Sequence, residues 1–185
     1  SSMRTMAVAT LALYNVLYTL WWKPKWAFAA VPGAIPGALP VVFGYMAVQE
    51  SFWNSECLYL FLIMFLWQMP HFWCLAIRYR EDYARGGIPV LPAKIGVPRT
   101  LFHIGLYLFV YVGVAMTSPW FLKTNVLYIL LVIPLCAKLI WELLKYVDGG
   151  GEKRWLSFFL WMNLSMLAFL TAPVVDKWFF IFVNY

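Results

Sequence analysis

The stretch CLYLFLIMFLWQMPHFWCLAIRYREDYARGGIPVLP, Cys57 to Pro92, reads in two halves. From Cys57 to Ile77 it is an apolar run without Asp, Glu, Lys or Arg. At about 1.5 Å per residue such a run crosses the roughly 30 Å hydrocarbon core of a bilayer as a helix. A barrel strand would alternate apolar and polar positions, and this run does not. Its end carries Gln68, Pro70 and His71, and from Arg78 the chain turns to mixed charges, Gly86–Gly87, Pro89 and Pro92.

The rest of the chain repeats the first half of that pattern. Of 185 residues, 64% are hydrophobic and 12% charged, against roughly 45–50% and about 25% in soluble domains. A water-soluble fold of this size cannot hide that much apolar surface, so the lipid bilayer is the solvent and the expected fold is an all-α, polytopic transmembrane bundle. Apolar runs between charges predict six spans in a single domain: about 6–22, 26–48, 57–77, 100–116, 125–144 and 155–175. With those spans, three Lys and Arg (Arg4, Lys123, Lys177) fall on one side and the other eleven on the opposite side. That bias orients the loops at 23–25, 78–99 and 145–154 toward the cytoplasm or matrix. The net charge of +6 is thereby a topology signal, and no nucleic-acid partner is expected. Cys57, Cys74 and Cys136 sit inside apolar runs without CxxC spacing and read as buried thiols. Residue 1 is Ser and no convincing leader cleavage site follows Arg4, so a processed chain or a fragment is expected.

Trp and Tyr gather at run ends, where half-wet rings anchor helices at the headgroup level. The second run, AVPGAIPGALPVVFGYMA (residues 30–47), places Gly33 and Gly37 four apart. This suits close helix packing; a proline-bent helix lining a cavity is the functional alternative. Gln68 and His71, three apart, project from neighbouring positions and need partners inside the bundle. The loop from Arg78 to Arg99, about 22 residues long, holds Glu81 and Asp82 among five basic residues. Carboxylates beside arginines at a membrane surface suit Mg²⁺ with a phosphorylated substrate. An ordinary solvated loop, basic for topology, is the other reading.

Trp67, Gln68, Pro70, His71 and Phe72, then Glu81, Asp82 and Tyr83, then Gly87, Ile88, Pro89, Leu91 and Pro92 closely resemble the hallmark segment of the protoheme IX farnesyltransferase (heme O synthase) family of the UbiA superfamily. LYTLWWKPKWAFAAVPGAIPGALPVVFGY (residues 17–45) and EKRWLSFFLWMNLSMLAFL (residues 152–170) are similar to further helices of that family. The resemblance implies transfer of farnesyl from farnesyl diphosphate to a vinyl group of protoheme IX in heme A biosynthesis, with heme as substrate. Mg²⁺ and basic residues would stabilise the leaving diphosphate. The heme vinyl would take up the allylic carbon, and water would complete a hydroxyethylfarnesyl side chain. It further implies Glu81 and Asp82 as Mg²⁺ ligands, Arg80, Lys94 and Tyr83 facing the diphosphate, and Gln68, His71 and Asp82 as catalytic. For His71, axial ligand, proton relay and structural hydrogen bond are all open.

The departures matter. The family has nine spans and a first acidic motif rich in Asn and Asp; this sequence has six predicted spans, matching the family's last six, and no such motif. Glu81 also replaces the first Asp of the second motif. The isolated chain is therefore expected to be inactive and to need a partner membrane chain supplying the missing helices. The alternative is a degenerate, non-catalytic member serving as a structural membrane subunit of a larger respiratory complex. A mitochondrial inner membrane is expected, with a bacterial inner membrane possible.

Overall fold

An apolar run in lipid becomes a helix because the hydrocarbon offers no partner for a bare backbone N–H or C=O. The computed structural model describes residues 27–49 and 54–183, so the first predicted span, 6–22, lies outside the described residues. Among these residues there are helices and no strands: α1 (Ala30–Met46), α2 (Ser55–Arg78), α3 (Arg80–Arg85), α4 (Leu91–Ile95), α5 (Val97–Met116), α6 (Ser118–Phe121), α7 (Val126–Asp148) and α8 (Trp155–Val183). Four of them, α2, α5, α7 and α8, are long and apolar enough to cross a membrane, and α1 is a shorter apolar helix. The molecule is an integral membrane protein.

Helix ends follow local chemistry. Asn54 caps α2 by accepting from the Cys57 N–H at 2.8 Å, and Glu56 in the first turn complements the helix dipole. Arg78 does the same for its last turn. Pro98 sits near the start of α5, where a missing N–H costs nothing, behind Gly96 at φ +83°. α8 continues through Pro173 to Val183, past the predicted end at residue 175.

α2, α5, α7 and α8 form a ring, each packed on two neighbours, and α1 lies on the outside of α2. Ile63, Met69, Ile104, Leu108, Leu139 and Met162 are fully buried at its centre. Large apolar side chains such as Phe102, Leu130 and Leu160 stay exposed on the rim. On a soluble protein that surface would drive aggregation; in lipid it is the solvated face. Several polar groups inside the ring are paired across helices. Tyr59 and Tyr128 hydroxyls share a hydrogen bond of 2.9 Å, Tyr128 donates to the Ala115 carbonyl at 2.8 Å, and Tyr111 pairs with Ser165 at 3.1 Å. The three cysteines are free and buried.

The α1–α2 contact uses the small residues of the proline-rich run. Gly33 is buried, and the absent side chain at Gly37 makes room for Gln68, whose Nε2 donates to the Ala34 carbonyl at 3.1 Å and to Met64 at 3.0 Å. A Cβ at Gly37 would overlap Gln68 Oε1. We expect Gly37→Ala to expel the amide and cost about 1–3 kcal/mol, the range for stranding a buried polar group. In a Gln68→Ala background the same change should cost much less. Thermal midpoints of the double-mutant cycle measure this; additive losses would refute the coupling.

Candidate functional site

The charged cargo gathers at one end of the bundle. Glu56 and Arg78 lie at opposite ends of α2, so the Arg80 end and the Glu56 end are opposite faces of the molecule. At the Glu56 end, Tyr45 donates to Glu56 at 2.9 Å and Lys177 pairs with the same carboxylate at 3.5 Å. At the Arg80 end lie Arg78, Arg80, Arg85, Lys94, Arg99, Lys145, Lys153 and Arg154.

α3 follows α2 with only Tyr79 between them and carries Arg80, Glu81, Asp82 and Tyr83 on one short helix. Glu81 and Asp82 are exposed, while Tyr83 and Arg80 are half-buried. Asp82 is paired with Arg85 and Arg80 with Glu152, the latter at 3.2 Å. A polar pocket of about 260 Å³ opens there, lined by Ile77 to Asp82 together with Gly151 and Glu152. Arg80, Glu81 and Asp82 therefore share one pocket. Lys94, exposed on α4, and Tyr83 are not among its lining residues.

Glu152 is the residue that sequence reasoning missed. It arrives on the turn between α7 and α8, which folds inward because Gly150 and Gly151 adopt φ of +67° and +81°. A Cβ on Gly151 would press within 3.4 Å of Ile77, Val97 and Leu101, so only glycine lets the turn sit this close. The run Gly149–Gly150–Gly151 ahead of the last span was the available signal.

Gln68 and His71 part company: the first reaches α1, the second α8. The His71 ring lies between Trp67 (centroids 4.5 Å) and Phe159 (5.0 Å). Phe159 stacks on Trp155 at 5.3 Å, and the Arg78 guanidinium stands 5.7 Å from the Trp155 ring. Trp67 and Trp155 are fixed by N–H bonds to the Met162 and Cys74 carbonyls. An aromatic column thus runs from His71 to the charged mouth, about 10 Å along α2. His71 Nδ1 is buried without a hydrogen-bond partner among the described residues. The faces of His71 and Phe159 are taken up by their stacked neighbours, so the column offers ring edges and apolar surface beside the charged mouth.

Among the described residues no group of three or more His, Cys, Asp or Glu side chains is placed to hold a metal. Glu81 and Asp82 nevertheless offer hard oxygens of the kind Mg²⁺ takes when waters and substrate phosphates complete its shell. The donor set fits a metal shared with a phosphorylated ligand and does not fit an all-protein cage.

Helices built for lipid, with a charged pocket at one membrane surface, define a polytopic membrane protein. The UbiA prenyltransferase family matches residues 4–167, and the chain belongs to that family. It is similar to the protoheme IX farnesyltransferase of Bdellovibrio bacteriovorus, 57% identical over 94% of this chain and 59% of that protein. The protoheme IX farnesyltransferase of Thiobacillus denitrificans is 32% identical over 94% of this chain and 58% of its own length. That of Orientia tsutsugamushi is 38% identical over 63% of this chain and 36% of its own length. The chain thus spans about 59% of the length of the first of these relatives. No solved structure matches it.

Proposed function

We propose that this chain carries the C-terminal catalytic part of a protoheme IX farnesyltransferase, moving farnesyl from farnesyl diphosphate to a vinyl group of protoheme IX. The observation that carries this reading is the shared pocket of Arg80, Glu81 and Asp82 at the end of an aromatic column. Arg80 and Arg85 hold carboxylates in weak, exposed pairs, which a diphosphate outcompetes because it offers more charge to a guanidinium. Glu81 and Asp82 would hold Mg²⁺, which when bound neutralises charge on the leaving diphosphate. Lys94, one short element away on α4, and Tyr83, on α3 itself, would approach the phosphates from outside the pocket. Trp67, Phe159 and Trp155 would form an apolar wall that excludes water beside the allylic carbon. His71, stacked between two of these rings with Nδ1 buried and without a partner among the described residues, would serve as proton acceptor or heme contact. Gln68 positions α1 against α2. The electropositive end faces the cytoplasm or matrix. The relatives named above are bacterial, which favours a bacterial inner membrane over a mitochondrial one.

The test is heme O formation, followed by chromatography of extracted hemes in a bacterium lacking its own enzyme. The chain alone should give none. Coexpressed with the N-terminal helices of the Bdellovibrio bacteriovorus relative, it should restore heme O, and Asp82→Ala should lower the yield at least about 100-fold, as loss of a charge-stabilising group does. No heme O from the joined chains, with tight copurification in a respiratory assembly, would replace this reading by the structural-subunit one.

A further inference from the structure

A second site lies on the outer surface of the ring. Between α5 and α7, neighbours that touch less closely than the other pairs of the ring, runs an apolar groove of about 650 Å³. That is within the roughly 300–1,000 Å³ of small-molecule sites. Phe102, Leu106 and Phe109 form one wall and Leu143, Leu144 and Val147 the other. Gly105 lies between them, its missing Cβ meeting only Leu143 at 3.8 Å. Toward the charged end of the molecule the groove is bounded by Val97, Pro98 and Gly150.

Cations stand on both sides of that end. Arg99 follows Pro98, and Lys153 rests its Cβ against Gly149, one residue from Gly150. Both are exposed, and neither has an ion-pair partner among the described residues. Asp148 and Glu152 are the carboxylates nearby in sequence, the latter paired with Arg80, and Lys145 close to Asp148 lies over the Trp141 ring. The rim is left net positive.

We propose that this groove holds one acyl chain of an anionic phospholipid from the electropositive leaflet, its phosphate lying between Arg99 and Lys153. Basic pockets between transmembrane helices on the cytoplasmic or matrix side favour such headgroups. The prenyl substrate is a poorer occupant. The turn carrying Gly151, packed on Ile77, Val97 and Leu101, stands between the groove and the pocket of Glu81 and Asp82. A diphosphate in that pocket could not lay its tail in the groove without moving the turn. The inference does not rest on the proposed reaction.

The test uses the full chain, stripped of lipid in detergent and titrated with phosphatidylglycerol or phosphatidylcholine under native mass spectrometry. The wild type should retain one phosphatidylglycerol with at least about tenfold preference, since each of two cations contributes severalfold. Arg99→Gln with Lys153→Gln, both on the surface and harmless to folding, should reduce the preference to about twofold or less. Gly105→Leu should abolish retention of either lipid, whereas Gly113→Leu on the same helix, whose Cβ meets nothing within 4 Å, should not. Equal retention of both lipids by the wild type, or an unchanged preference in the double variant, overturns the proposal. So does displacement of the lipid by farnesyl diphosphate with Mg²⁺, or occupation of the Gly105 face by a second copy of the chain.

Discussion

Replacing Asp176 with alanine should destabilise the bundle by about 2–4 kcal/mol, although the residue lies at the face opposite the candidate site. Asp176 is fully buried on α8 and its carboxylate serves α7: it accepts from the Asn125 N–H at 2.7 Å, the Tyr128 N–H at 2.9 Å and the Asn125 side chain at 3.2 Å. Asn125 occupies the capping position yet makes no side-chain cap of its own, so a neighbouring helix supplies the acceptor. Losing a cap costs about 1 kcal/mol, and a stranded buried donor adds about 1–3 kcal/mol. Asp176→Asn keeps one acceptor oxygen but turns an N–H₂ toward a backbone donor, so it should fall between wild type and alanine. Thermal unfolding in a fixed detergent gives the ordering, and hydrogen exchange should accelerate at residues 125–128 first. An alanine variant as stable as wild type would mean that water or headgroups cap α7 equally well.

That interaction shows where the sequence stops being readable. The bundle itself was legible because lipid permits so few solutions: an uncharged run such as Cys57–Ile77 must satisfy its backbone internally, and only a helix does so. Lys138 and Glu142, four apart, are brought together by one helical turn and pair as that spacing allows. Asp176 and Asn125 are 51 residues apart, and no local pattern announces that they meet. Gln68 and Gly37 both stood out in the sequence, one as a polar intruder and one as a small residue at packing spacing. Each is the reason for the other, but only the packing of α1 on α2 shows it.

The candidate site divides in the same way. Arg80, Glu81 and Asp82 come as one contiguous motif, so their common pocket follows from a single short helix. Glu152 joins them from 72 residues away, and Phe159 and Trp155 complete the column on His71 from α8. Trp155 reads from sequence as an interfacial anchor; in the fold it also bridges the aromatic column to Arg78. The helix start that anchors in the headgroups is the one that abuts the mouth, and hydropathy alone does not separate the two roles.

The other large effect is expected at Glu142, where the loss should fall on the mouth as well as on stability. This carboxylate is fully buried, and it accepts from Lys138 at 2.5 Å, from Arg154 at 3.2 Å and from Ser157 at 2.8 Å. It therefore ties α7 to the start of α8 and holds the turn between them. Arg154 sits at φ +60°, a left-handed conformation that costs a non-glycine residue roughly 1–2 kcal/mol; its bond to Glu142 helps offset that strain. Removing one partner of a buried pair costs about 3–5 kcal/mol when the other is stranded. Here Lys138 and Arg154 are 36% and 49% exposed and can extend toward headgroups, so about 2–3 kcal/mol is the expected cost of Glu142→Ala. Lys138→Met should cost less, because Arg154 and Ser157 still satisfy the carboxylate. Arg154→Gly should come close to neutral, as relief of strain opposes loss of the pair. If the turn is held this way, Glu142→Ala also displaces Gly151 and Glu152 from the pocket they line, and the heme O yield of the joined chains should fall further than that of Asp176→Ala, once both are corrected for folded protein. Equal yields would show that Glu142 supports the bundle and leaves the mouth untouched.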